Sequence, residues 1–274
     1  MRYTLIGILG ALTFLPAFAQ VSSGSLSEET TGKIIPRHFG PIRDKFDHGN
    51  GTAESSNWSG YAVEGSSFTK AEGSWVVPTA TCSGVKGDQY AAFWVGLDGY
   101  NSDTVEQTGT DSDCDRTSPT YYAWYEFYPR ASIEITTVPI HPGDLIYASV
   151  VYNSGESFTV TIYDKTTEKY FTKTGTVRGA DRSSAEWITE APCCTAGGGI
   201  LPLADFGTVL FGKDSSGIAG TNFATDSSTT GAIGSFPAVD TIEINKTSSS
   251  SSPQTSACSA LSTDGTSFSC TWAQ

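Results

Sequence analysis

From Asn57 to the C-terminus no run longer than two turns carries helical periodicity. Short stretches rich in aromatic and β-branched residues are instead interrupted by Gly, Ser, Pro or Asp, which is the pattern of strands joined by tight turns. Residues 57–63, 67–77, 90–96, 104–108, 120–127 and 132–138 read as strands. Residues 145–152, 157–164 and 169–176 look like a meander, with a turn at His141-Pro-Gly-Asp144 before it and a hairpin loop over 164–168. Strands over 183–190, 205–213, 231–236 and 240–246, a polar loop over 248–256 and a closing hairpin over 258–272 complete the series. Such a chain is expected to form an all-β, two-sheet antiparallel sandwich.

The N-terminus predicts the compartment. Arg2, the apolar stretch 5–15 and Ala17-Phe18-Ala19 before Gln20 read as a secretory signal peptide over residues 1–19. No later run has the length that a transmembrane helix needs, so a secreted protein is expected. Six cysteines, at 82, 114, 193, 194, 258 and 270, fit an oxidising compartment. Cys258–Cys270 is the natural local pair and Cys82–Cys114 a plausible second; the adjacent Cys193 and Cys194 stay open. Asn50, Asn57 and Asn245 lie in Asn-x-Ser/Thr sequons, although a glycan on Asn57 would crowd Trp58.

The formal charge of −13 opposes binding to nucleic acid or an anionic membrane, and neither partner is expected. Near the sequence pI of about 4.5 the self-repulsion fades, which hints at work in acid. One stretch departs from this balance. Between Lys33 and Lys45 four basic residues face one acid. Residues 20–53 therefore read as a propeptide, with 33–45 as an intramolecular inhibitor docked on an acidic cleft and released when acid protonates the carboxylates. Residues 54–274 would be the catalytic domain, expected to be monomeric.

Several chemistries find no residues. There is no G-x-S-x-G elbow and no Gly-rich phosphate loop. Of three histidines, His38 and His48 belong to the propeptide region and His141 to a turn, so neither Ser–His catalysis nor a histidine zinc site is expected. No metal or cofactor is implied. Carboxylates, amides and aromatics remain. On strand 183–190 alternation puts Glu186, Ile188 and Glu190 on one face and Ala185 and Trp187 on the other. A carboxylate beside Trp and Ile must find a partner or do chemistry. Glu186 is the candidate, with Gln107 opposite it.

Four motifs carry a more specific signal: Asn57-Trp-Ser-Gly-Tyr61, Phe93-Trp-Val-Gly-Leu-Asp-Gly99, Glu106-Gln-Thr-Gly109 and Ala185-Glu-Trp-Ile188. In this order they resemble the eqolisins, the glutamic peptidases of fungi, over residues 57 to about 223. The resemblance implies a lectin-like sandwich with a cleft on its concave sheet and Gln107 and Glu186 as the catalytic pair. Glu186 would take the water's proton and return one to the leaving amine, while Gln107 orients the water and stabilises the oxyanion. Trp58 and Trp94 would line the cleft. Asp98, Asp111 and Glu190 would add an acidic cluster suited to basic side chains of protein or peptide substrates. A lone Glu beside an amide lacks the like-charge coupling of a carboxylate dyad and can stay ionised in mild acid. The expected activity is an acid endopeptidase that resists pepstatin. The alternatives are a glycoside hydrolase, needing a second essential carboxylate but not Gln107, and a carbohydrate-binding module indifferent to Glu186.

Overall fold

The computed structural model describes residues 32–84, 87–193, 199–213, 220–245 and 254–274. The expected signal peptide, the start of the propeptide and Cys194 lie outside them. From Thr31 onward the chain forms one compact unit. The segment ahead of the first motif supplies β1 (Gly32–Ile34), β2 (Phe46–Asp47) and β3 (Thr52–Ser55). Then come β4 (Trp58–Glu64), β5 (Phe68–Val76), β6 (Ala92–Leu97), β7 (Val105–Asp115) and β8 (Ser118–Tyr128). β9 (Ile133–Ile135), β10 (Leu145–Ser154), β11 (Ser157–Asp164), β12 (Lys169–Thr176) and β13 (Ser184–Glu190) follow. The last strands are β14 (Thr208–Phe211), β15 (Phe223–Asp226), β16 (Thr229–Ala232), β17 (Val239–Ile244), β18 (Thr255–Cys258) and β19 (Phe268–Ala273).

One ladder runs β1–β9–β8–β7–β6–β13–β4–β17. A second runs β18–β19–β14–β5–β10–β11–β12, with β15 and β16 joined to β5. The single pair Ile244↔Ser256 ties β17 to β18, so the strands form one large hydrogen-bonded sheet system. Apart from β3, which runs parallel to β17, the pairings between these strands are antiparallel. The all-β expectation holds. Where a strand was expected over 231–236, β16 ends at Ala232 and a 3₁₀ turn, Ile233–Ser235, follows. There Gly234 N–H turns to the Gly265 carbonyl at 3.0 Å instead of extending the ladder.

Burial follows the pleat. On β11 Phe158, Val160 and Ile162 point into the main core while the residues between them stay half-exposed. That core also holds Trp75, Phe93, Val95, Ala185 and Trp187. The opposite face of β4, β6 and β13 carries a second buried cluster with Trp58, Trp94, Trp124 and Ile188. β6 and β13 are buried on both faces, which is why residues 90–96 read as an uninterrupted apolar run. The Cys82–Cys114 and Cys258–Cys270 disulfides are both present.

Candidate active site

The second cluster is built in three rows across β4, β13, β6, β7 and β8. Trp58, Glu190, Ala92, Asp111 and Tyr122 stand in register, then Gly60, Ile188, Trp94, Gly109 and Trp124, then Ala62, Glu186, Gly96, Gln107 and Glu126. The expected alternation on strand 183–190 is therefore correct, with Glu186, Ile188 and Glu190 on this face. The glycine of Gln107-Thr-Gly109 has a steric reason: a Cβ there would strike the Phe93 carbonyl and Trp94. Trp58 and Trp94 meet edge to face at 5.0 Å.

Residues 35–43 lie across this face as an extended strap. Phe39 is fully buried and stacks on Trp124 at 3.8 Å between ring centroids. Its N–H donates to Glu126 Oε2 at 2.9 Å, and its carbonyl accepts from Gln107 Nε2. The next carbonyl, of Gly40, accepts from Trp58 Nε1 at 3.2 Å. The one after, of Pro41, accepts from Asn57 Nδ2 at 3.3 Å, and the same nitrogen lies 3.3 Å from Glu190 Oε1. Arg37 sends its guanidinium to Asp111 Oδ2 at 3.3 Å, to Asp113 and to the Tyr122 hydroxyl, with the Tyr90 ring 4.2 Å away. His38 Nδ1 lies 2.7 Å from Glu126 Oε1, and its backbone pairs with Cys193. A basic segment on an acidic face is thus what the chain builds.

The two same-face glutamates differ sharply. Glu190 accepts from Trp94 Nε1 at 2.9 Å and from Asn57, and it feels the charges of Glu126 and Asp111. It sits under the strap. Glu186 is equally buried but lacks the indole and amide donors that hold Glu190; only the Ser184 hydroxyl lies near it, and its charged neighbours are Asp98 and Glu106. Register alone would favour Glu186, because it shares a row with Gln107. Each strand pair adds roughly 20–25° of twist, so residues level in the ladder diverge across several strands and diagonal ones close up. The structure gathers Gln107, Glu190, Asp111, Trp58 and Trp94 around the strap, and it leaves Glu186 and Asp98 outside that group. Asp98, with φ +69°, accepts from the Arg182 and Ser183 amides at 2.8 and 2.9 Å and so acts as a turn anchor.

The carboxyls are shifted upward. Burial pushes Glu190 well above the ordinary range against the pull of Trp94 and Asn57. It takes Glu126 up to about 7, with His38, Phe39 and Gln107 pulling back. Burial also raises Asp111 and Asp113, opposed by Arg37. Glu126 was not singled out in the sequence; its place two residues after Trp124 on an aromatic strand was the available signal. Asp113 was hidden because polar residues 110–115 resemble a loop, whereas β7 continues through them. Asn57 is fully buried and spent on Pro41, Arg43 and Glu190, so its sequon cannot carry a glycan in this fold.

Glu186, Glu106 and Asp98 form a buried acidic trio, all raised by burial first. Both Glu106 oxygens are unpartnered. A carboxyl raised by folding adds stability that is complete below its ordinary pKa of 4.5 and is lost as pH rises. Glu106→Leu should therefore stabilise the chain at pH 7 by about 2 kcal/mol, roughly 4–8 °C in Tm, and by much less at pH 4. Thermal unfolding at both pH values checks this; equal effects would contradict it.

Residues 56–272 match the model of the Peptidase A4 family. Aspergillopepsin-2 of Aspergillus niger is 34% identical over 186 residues, covering 59% of this chain and 65% of that protein, slightly under two thirds of its length. Scytalidopepsin B of Scytalidium lignicola is 30% identical over 198 residues, covering 69% and 73%. Among solved structures, scytalido-glutamic peptidase with a transition state analog inhibitor aligns with a TM-score of 0.65 at 25% identity, over 79% of this chain and 98% of that one. Aspergilloglutamic peptidase from Aspergillus niger aligns at 0.55 and 27% identity, over 68% and 99%. With residues of all four motifs meeting on one buried face and a family match over most of its length, the chain belongs to the Peptidase A4 family, the eqolisins.

Proposed function

We propose that the chain is a secreted acid endopeptidase in which Gln107 and Glu190 hydrolyse peptide bonds, made as a proenzyme whose residues 33–45 close the cleft. One observation carries the reading. Three successive peptide carbonyls, of Phe39, Gly40 and Pro41, run from the Gln107 amide past Trp58 to Asn57, which also holds Glu190. A peptide backbone thus already bridges the two groups. That solved relatives hold a transition state analog inhibitor and, in one case, the tripeptide Ala-Ile-His supports a peptide as the ligand.

In the open cleft, ionised Glu190 accepts a proton from water as the water oxygen bonds to the carbonyl carbon. Gln107 Nε2 donates to the oxyanion, as it now does to the Phe39 carbonyl, while its unpartnered Oε1 is free to orient the water. The C–N bond then breaks and Glu190 returns the proton to the departing amine. Burial raises the pKa of Glu190, the Trp94 and Asn57 donors favour its charged form, and Glu126 and Asp111 oppose them; opening the cleft would remove the part of the burial that the strap adds. Asp111 and Asp113 with Tyr122 make a seat for a guanidinium, so substrates with basic side chains suit it.

The test is hydrolysis of denatured protein by the processed chain at about pH 3–4 with pepstatin present, the range in which a carboxylate near its reference pKa is partly ionised. Wild type should cleave, and Gln107→Ala should lose about 10²–10³-fold in kcat, the effect of one oxyanion donor. A folded, processed wild type without proteolysis would overturn the reading.

A further inference from the structure

The face of β10, β11 and β12 turned away from the main core holds a feature that peptide hydrolysis does not use. Tyr147, Tyr163 and Tyr170 stand in register on these three adjacent strands. Their backbones are about 4.8 Å apart. Among the described residues no ring–ring contact joins them. Instead they wall an open depression of about 570 Å³ together with Thr161 and Glu168. That volume lies in the roughly 300–1,000 Å³ range of small-molecule clefts. Tyr170 is 66% exposed.

The surroundings are polar and fixed. In the next row stand Ser149, Thr161 and Thr172, with the two threonine hydroxyls 3.1 Å apart. The Tyr147 hydroxyl donates to Glu72, and Lys70 holds Glu72 at 2.8 Å, which locks the ring's tip. A ligand for this surface must offer apolar C–H faces to the rings and hydroxyls to the rows between them. Glu168 and the chain's charge of −13 repel nucleic acid and acidic polymers, and Glu72 is already paired with Lys70 and Tyr147, so a neutral ligand suits the site. A row across three strands suits an elongated chain. Sugar rings meet all of these requirements.

We propose that Tyr147, Tyr163 and Tyr170 form a second binding surface, for a neutral polysaccharide, separated from the Gln107 face by the main core. It would hold the protein on a glycan matrix while the cleft works on peptide.

Affinity electrophoresis of the full chain through gels containing soluble β-1,3-glucan or mannan tests this. Wild type should be retarded by at least one polymer. Tyr163→Ala and Tyr170→Ala should each weaken the apparent affinity about tenfold, with kcat/KM for a peptide by the processed enzyme unchanged. If Tyr163→Ala fails to fold, the exposed Tyr170 decides alone. No retardation of wild type, or retardation equal in wild type and variants, overturns the proposal. So does a Tyr170→Ala variant that loses peptide turnover but keeps its sugar affinity, because the row would then be an extension of the peptide site.

Discussion

Glu190→Gln is expected to lower kcat of the processed enzyme by about 10⁴-fold with KM changed only a few-fold, because one group serves as base and then as acid. The substitution keeps size and shape, and its remaining oxygen can still accept from Trp94 or Asn57, so the fold should persist. What disappears is the proton acceptor. Steady-state kinetics on one peptide at about pH 3.5 measures it. A loss confined to KM would mean that Glu190 only holds substrate.

The strap should produce the other large effect. A chain carrying Arg37→Ala should show on the order of 10²–10³-fold more activity before processing than the wild-type proenzyme. Removing one partner of a buried charge cluster costs about 3–5 kcal/mol, and here that loss falls on the closed state. Deleting residues 33–45 should do at least as much, although it also removes part of β1 and can impair folding. Unchanged latency in the folded Arg37→Ala variant would contradict an inhibitory strap.

The expectation from the sequence was release as acid protonates the carboxylates; the groups under the strap argue for a different pH dependence, which is a prediction. Glu126, Asp111, Asp113 and Glu190 are all raised under the strap, and His38 is raised by Glu126. On closing, His38 gains affinity for a proton from Glu126, and the burial the strap adds favours protonated carboxyls, whereas Arg37 favours ionised Asp111 and Asp113. For Glu126 that contribution is complete below its ordinary 4.5 and is lost as pH rises through about 7. On the Glu126–His38 contact, acid should favour the closed strap. The protection factor of the Phe39 amide should accordingly be higher at pH 4.5 than at pH 7; the reverse would restore release by acid.

Periodicity and turn chemistry made much of this legible. The alternation on β13, the meander from β10 to β12 and the Cys258–Cys270 disulfide followed from local pattern, because each depends on neighbours close in sequence or on a pleat of period 2, whereas Cys82–Cys114 spans 32 residues and was only one of the pairings left open. What stayed hidden depends on distant partners. Residues 110–115 look like a loop until Arg37, seventy residues earlier, and Tyr122 give Asp111 and Asp113 their contacts. Asp98 looked like a cleft acid; its turn conformation and the amides of residues 182–183 make it an anchor. The choice between Glu186 and Glu190 was invisible for a similar reason: both alternate onto the same face, and only sheet twist and the Trp94 and Asn57 donors separate them.

The central claim is that one carboxylate, Glu190, works with the Gln107 amide. The most direct measurement is kcat for processed Glu186→Gln beside processed Glu190→Gln, on one peptide at about pH 3.5 with pepstatin present. The account predicts that Glu186→Gln stays within about tenfold of wild type while Glu190→Gln falls by about 10⁴-fold. The reverse ranking, or equal loss in both, would contradict it and return the catalytic role to Glu186 or to a pair of carboxylates.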